Sequence, residues 1–401
     1  MKKRALLFLL AWLAAAWTFS GCSFWIPTGP ETPAFTLDET LLPQYRDRWC
    51  YSRLDAQQKE NYSAVYQAVW QARDTLSTVS ILSEGKDTVR AGVSVTLPHP
   101  LTDEERVSSL YNSFIRDNPQ FFFIGNLYGY DGNQKLHQLK LTFTMDQQTR
   151  ALAWQEMERA TADFLKDLPA GDDFERELWI HDKLLLQCEY EQDVEVTGDV
   201  PAKYADAFSA YGALVGGRAV CEGYARAMLL LLQRAGIPGT LVVGSDKDGA
   251  LHMWNFVTIN GLNYHLDPTW DDADWGVQHI YFNLSTVQIE LTHTMDPSME
   301  WVDTCTAQKD EYYHRTGARI NSFALEEIAG AAAAQLRLNK PVIELSFAPA
   351  GFANGRFFVQ NREWFTETVD ALLPDGMLRL WPYETLADTT HCVLILIPTE
   401  E

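Results

Sequence analysis

The sequence predicts an α+β protein assembled from more than one packed unit, and three observations carry that expectation. Helical spacing of apolar residues alternates along the chain with strand-like runs, which interleaves the two element types. A length of 401 residues exceeds what one core ordinarily holds. A hydrophobic content of 46% with 21% charged residues is that of a globular chain and excludes wholesale disorder.

The chain opens on "MKKRALLFLLAWLAAAWTFSGC", a basic start, an apolar run and small residues before Cys22, the layout of a secretory signal. A cysteine after "FSG" resembles the lipobox of bacterial lipoproteins, which implies acylation at Cys22 and a lipid anchor on the extracytoplasmic side of a membrane in the cell envelope. Residues 1–21 then form the signal and 22–45, with the Pro- and Thr-containing "SFWIPTGPETP", a tether. Formal net charge is −22 and becomes more negative when Lys2, Lys3 and Arg4 leave with the signal. Such a surface repels phosphate backbones, so no nucleic-acid partner is expected.

Residues 46–150 read as a mixed α+β region. Tyr62, Val65, Tyr66, Val69 and Trp70 share one helical face, and "TDEERVSSLYNSF" begins a second helix with a capping box from Thr102 to Glu105. "DNPQFFFIG" stops that helix at Pro119 and starts a buried strand. Leu139, Leu141, Phe143 and Met145 alternate as in a half-buried strand. The core domain follows at 151–310, opening with two helices separated by "LPAGDD". Residues 311–401 form a small α+β module in which "PVIELSF", "REWFTETVDALL", "GMLRLWPY" and "HCVLILIP" predict strand, helix, strand and strand, and "AGAAAAQ" predicts plain helix.

Besides Cys22 there are Cys50, Cys188, Cys221, Cys305 and Cys392, with no CxxC and no Cys/His pair at zinc spacing. No metal or cofactor is expected. Five thiols outside the cytoplasm fit either one reactive cysteine with two disulfides or five reduced cysteines.

"GRAVCEGYARAMLLLLQRAGIP" places Cys221 at the mouth of a very apolar helix, where unpaired N–H groups and the positive dipole end favour a thiolate. Ala225, Met228 and Leu232 fall on the same side as Cys221, and Glu222, Arg226 and Gln233 collect on another stripe, so the thiol points inward. Downstream, "LHMWNFVTINGLNYHLDPTWDD" contains Asn260-Gly261 between two apolar runs, a strong hairpin signal. A two-residue turn there pairs Ile259 with Leu262 and sets Trp254 opposite Asp267. His252 and Asp267 become diagonal neighbours with α-carbons about 7–8 Å apart, within side-chain reach. His265 falls opposite Phe256, farther along the ladder, which makes a metal site of His252 and His265 awkward.

An inward thiol at a helix start, a histidine on a strand and a carboxylate placed to orient that histidine form the set needed for covalent acyl chemistry. The segments "GRAVCEGYARAMLLLLQRAGIP", "HMWNFV" and "YHLDPTWDD", with "FERELWIHDKLLLQCEYE" before them and "HIYFNLS" after, resemble the transglutaminase-like superfamily over residues 172–295. The resemblance implies a papain-like core with the nucleophile helix packed on an antiparallel sheet. It also implies Cys221 as nucleophile, His252 as general base and acid, and Asp267 as orienting carboxylate. The family tends to place a second oxyanion donor where Tyr211 stands, and Trp254 flanks the proposed site as a candidate wall; for both, the alternative is an ordinary packed aromatic.

Two functions follow as expectations. The first is an anchored enzyme acting on a peptide, protein or cell-envelope amide through a thioester, by hydrolysis or by acyl transfer to an amine. The second is a non-catalytic surface binding or assembly protein that retains the same fold.

Overall fold

The computed structural model describes residues 35–83, 86–131, 136–194, 202–322, 324–337, 342–373 and 383–399. Cys22, the signal and most of the tether lie outside the described residues, as does "GMLRLWPY" up to Pro382. By contact the described residues divide into two units, one holding those from 35 to 168 with those from 191 to 241, the other those from 169 to 190 with those from 242 onward. This division follows contacts, whereas the five segments read from the sequence follow pattern. Among the described residues all five cysteines are free thiols.

In the first unit, helix Ala56–Ala72 starts at a capping box in which Asp55 accepts from the Gln58 backbone and Gln58 returns the bond. Its buried Tyr62, Val65, Tyr66 and Val69 are spaced for one face. Tyr66 packs edge-on against Phe114 and Phe121. Helix Glu104–Asp117 is capped one residue later than the sequence suggested. Asp103, not Thr102, accepts the Arg106 N–H, since its carboxylate is the stronger acceptor and Thr102 is turned to donate to Asp103. The strand expected in "FFFIG" begins only at Ile124. Phe121 and Phe123 are buried from a tight turn in which Phe121 N–H bonds Asn118 and Ile124 N–H bonds Phe121.

Four antiparallel strands lie in the order Thr78–Ser83, Lys86–Leu101, Leu136–Phe143, Ile124–Asp131. Leu139 and Leu141 pair with Val95 and Val93 and are buried with them. Helix Gln147–Leu165 follows. Its Arg150 is wholly buried, its guanidinium donating to the carbonyls of Ala72, Arg73, Thr75 and Met145. A charge this deep is tolerable because the fork of donors meets four acceptors.

In the second unit, helix Asp173–Gln187 opens with another capping box, Asp172 with Glu175, and buries Phe174, Glu177, Ile180, His181, Leu184 and Leu185. A second sheet runs His293–Met295, Gly239–Asp246, Leu251–Ile259, Leu262–Leu266. Its hairpin turns at Asn260 and Gly261, both in left-handed backbone (φ 50° and 81°), the geometry a two-residue primed turn requires. The ladder pairs Ile259 with Leu262 and Phe256 with His265. Toward the C-terminus a third sheet orders Arg319–Ile320, Ile343–Phe347, Val393–Pro398, Tyr383–Asp388, with only its first pairing parallel. Helix Leu325–Arg337 includes the alanine run. The pattern read there missed helix Phe352–Gln360, which precedes Arg362–Asp370, and strand Tyr383–Asp388.

Candidate active site

Helix Cys221–Arg234 is buried nearly all round, which is why so apolar a run can be a helix at all. Cys221 is its first residue and 1% exposed. No side chain caps this start; Val220 at the N-cap uses its own N–H on the Ala207 carbonyl. Gly223 lets the first turn approach that segment: a β-carbon there would stand 2.3 Å from Ala207 O and 2.8 Å from the Ala219 β-carbon. The polar stripe faces protein rather than water. Glu222 is buried and paired with Arg226 at 2.7 Å, and Gln233 donates to the Asp117 carbonyl.

Tyr211, in the same unit, spends its hydroxyl on Glu156 at 2.6 Å, and its ring stacks on Phe122 with centroids 4.9 Å apart. Burial and the neighbouring carboxylate push its phenol up to about 12. The O–H proposed as an oxyanion donor is therefore committed elsewhere in this structure.

In the other unit, His252 and Asp267 meet. His252 projects from strand Leu251–Ile259, 3% exposed, and its Nε2 lies 2.7 Å from Asp267 Oδ2. Asp267 ends the hairpin and caps the short helix Pro268–Asp271, its Oδ1 accepting from the backbone of Thr269 and Trp270. Its position is fixed further by its own N–H on the Tyr281 carbonyl.

A histidine that sequence reasoning passed over completes the group. His293 Nε2 lies 3.0 Å from the same Oδ2. Burial alone would raise the Asp267 carboxyl; the charges and hydrogen bonds of His252 and His293 outweigh it and hold the group well below the usual carboxylate range. Burial lowers His293 despite Asp267, with His252 and His391 adding to the effect. A neutral His293 that donates Nε2–H to Asp267 accepts at Nδ1, where the Thr292 hydroxyl stands 2.9 Å away.

Trp254 is fully buried beside these rings, its centroid 6.1 Å from His252 and 5.0 Å from His293. Its Nε1–H donates to His265 Nδ1 at 3.2 Å. Since indole only donates, the His265 proton sits on Nε2, which faces the Thr286 hydroxyl at 3.2 Å. Burial pushes His265 down to about 3, with His293 contributing, so it stays neutral. Trp254 thus walls His252 from a position locked by a hydrogen bond. The structure joins His252, Asp267 and Trp254 in one unit, and Cys221 and Tyr211 belong to the other.

Residues 162–271 match the family model described as the Transglutaminase-like superfamily, a span that includes Cys221, His252 and Asp267. That stretch is transglutaminase-like, in an α+β chain. No curated protein matches. Among solved structures, a "TGase" aligns at 10% identity over 44% of this chain and 53% of its own, with a TM-score of 0.28. The periplasmic domain of TgpA from Pseudomonas aeruginosa aligns at 14% identity over 49% of this chain and 83% of its own, with a TM-score of 0.21. The chain thus spans about half the length of the first of these.

Proposed function

We propose that the chain is a cysteine-dependent enzyme acting on an amide of a peptide, a protein or the cell envelope. The observation that carries this reading is the buried His252–Asp267 pair at 2.7 Å, lying in sequence after a cysteine that begins a buried helix. In this reading Cys221 attacks the carbonyl carbon, the C–N bond breaks, and the amine leaves with the proton that His252 took from the thiol. Because Nε2 faces Asp267, Nδ1 is the ring nitrogen that exchanges that proton. Asp267 holds the tautomer and supports the imidazolium. Water or an amine then attacks the thioester and regenerates the thiol, and hydrolysis is the reading adopted because water is the default acceptor.

The same proposal places the chain on the extracytoplasmic side of a membrane through a lipid on Cys22. No helix among the described residues is long and apolar enough to cross a bilayer. Replacing Cys22 with Ser releases the protein or leaves its signal uncleaved if this is right; unchanged retention with normal processing rejects it.

The enzymatic test is hydrolysis of a peptide-amide library, and incorporation of a fluorescent primary amine, by the wild type and Cys221→Ala. Turnover lost in the variant supports the proposal. Equal product from both proteins, or none from a wild type that binds the peptides, supports the non-catalytic alternative.

A further inference from the structure

A second constellation of histidines and carboxylates lies in the same unit as His252. Helix Asp173–Gln187 carries His181 and Asp182 side by side, and His279 comes from the segment after the hairpin. His181 Nδ1 is 3.1 Å and His279 Nε2 2.9 Å from a single oxygen, Asp182 Oδ1. One nitrogen or oxygen from each of the three residues lies within 4.8 Å of the others. In a tetrahedral site with bonds of 2.0–2.1 Å, ligand atoms stand about 3.3 Å apart, so each imidazole nitrogen needs to draw back from Asp182 Oδ1 by only a few tenths of an ångström to admit an ion.

The outer nitrogens point the same way. His279 Nδ1 is 2.6 Å from Glu344 Oε1, and His181 Nε2 is 3.3 Å from Asp271 Oδ2. The carboxylate bonded behind His279 is the support that metal-bound histidines characteristically have, because it fixes the ring tautomer and strengthens the nitrogen facing the ion, and Asp271 stands behind His181 at a longer reach that makes no hydrogen bond. The supports are themselves anchored. Glu344 accepts from Tyr313 O–H at 2.8 Å and from the His279 backbone at 3.0 Å, and Asp271 accepts from the Tyr281 backbone at 2.9 Å. The His279 ring is held flat on Tyr312, with centroids 3.8 Å apart and planes 4° from parallel. His181, His279, Asp271 and Glu344 are buried, whereas the Asp182 side chain keeps 27% exposure, which gives an ion and its water a way in.

We infer that His181, Asp182 and His279 form a binding site for one divalent first-row transition ion of the zinc class, with Asp271 and Glu344 as supporting carboxylates. Two imidazoles and one carboxylate suit such an ion better than calcium or magnesium, which take mostly oxygen ligands. The ion would fasten three separate pieces of chain, the helix, the segment around His279 and, through Glu344, strand Ile343–Phe347. This site is independent of the proposed acyl chemistry.

The test uses the full chain stripped with a chelator and titrated with Co²⁺, whose visible bands report tetrahedral coordination, followed by displacement with Zn²⁺. One equivalent should bind saturably. Asp182→Asn and His279→Gln should abolish binding, Glu344→Gln should weaken it about 10- to 100-fold, and His293→Gln should leave it unchanged. Absence of saturable binding by the wild type overturns the inference. So does binding that survives Asp182→Asn but disappears with His293→Gln, because the ion would then sit at Asp267. Where the ligand variants fail to fold, X-ray absorption on the zinc-loaded His293→Gln protein decides the matter: two imidazoles at the ion support the site, and a sulfur neighbour rejects it.

Discussion

His293 donates to Asp267 through the carboxylate oxygen that already receives His252, at 3.0 Å and 2.7 Å respectively. With Thr269 and Trp270 on the other oxygen, this buried carboxylate faces four donors. An arrangement so fully satisfied is stiff, since a shift of Asp267 that improved one bond would stretch another. Stiffness of this kind is what an orienting residue needs.

His293→Phe removes one donor from a buried, charged acceptor and should cost about 1.5–3 kcal/mol of stability. His293→Gln keeps an amide N–H within reach of Asp267 and should recover part of the loss. Urea unfolding of both variants checks this; equal stability of wild type and the Phe variant would show that the bond carries no weight.

The start of helix Cys221–Arg234 offers a packing test that changes no charge. Gly223→Ala puts a methyl 2.3 Å from a backbone oxygen and 2.8 Å from the Ala219 β-carbon, neither of which is the flexible end of a side chain. Overpacking of this sort costs about 1–3 kcal/mol. The thermal midpoint should fall, and an unchanged midpoint would mean that the helix can lift away freely.

His265 predicts a specific pH dependence. In the folded chain it takes a proton only near pH 3, against about 6.5 when unfolded. Between those values the unfolded chain binds a proton that the folded chain refuses, so this residue's contribution is intact above about 6.5 and is lost as the pH falls. In His265→Gln, which can still accept from Trp254, the fall in urea midpoint from pH 6.5 to pH 4 should be shallower than in wild type. Parallel slopes would remove His265 from the account.

How far these features were legible differs residue by residue. The turn at Asn260-Gly261 has one favoured geometry, so counting outward from it was enough to bring His252 toward Asp267. His293 lies 26 residues beyond Asp267 on a three-residue strand that pairs with Gly239–Asp246, and no local periodicity marks such a partner. The Glu222–Arg226 pair falls on a stripe apart from Cys221 in the sequence, and its burial is not legible there, because a wheel shows which residues share a face and not what covers it. Glu344 did leave a signal: one carboxylate among the apolar residues of "PVIELSF" is expensive to bury without a partner. Its partner, His279, is 65 positions away, a pairing that only the folded chain discloses.

Asp267→Asn separates charge from shape at the candidate site. Asparagine can keep the Oδ1 bonds to Thr269 and Trp270 by presenting its carbonyl there, which turns its NH₂ toward His252 and His293. Two donors then face a donor, and each imidazole must move its proton to the other nitrogen to accept. For His293 that tautomer remains bonded, because the Thr292 hydroxyl at Nδ1 can accept as well as donate. For His252 the same exchange places the proton on Nδ1, the nitrogen that the proposed chemistry requires bare to take one from a thiol. In a Ser-His-Asp enzyme this substitution costs about 10⁴-fold in turnover. A cysteine nucleophile is more acidic and depends less on its base, so a loss of about 10- to 1,000-fold is expected here, with the fold retained. The comparison to make is turnover of the Asn variant against Cys221→Ala on one amide substrate, with thermal unfolding of each. Full activity in the Asn variant would make Asp267 a bystander, and loss of its unfolding transition would make it a structural carboxylate.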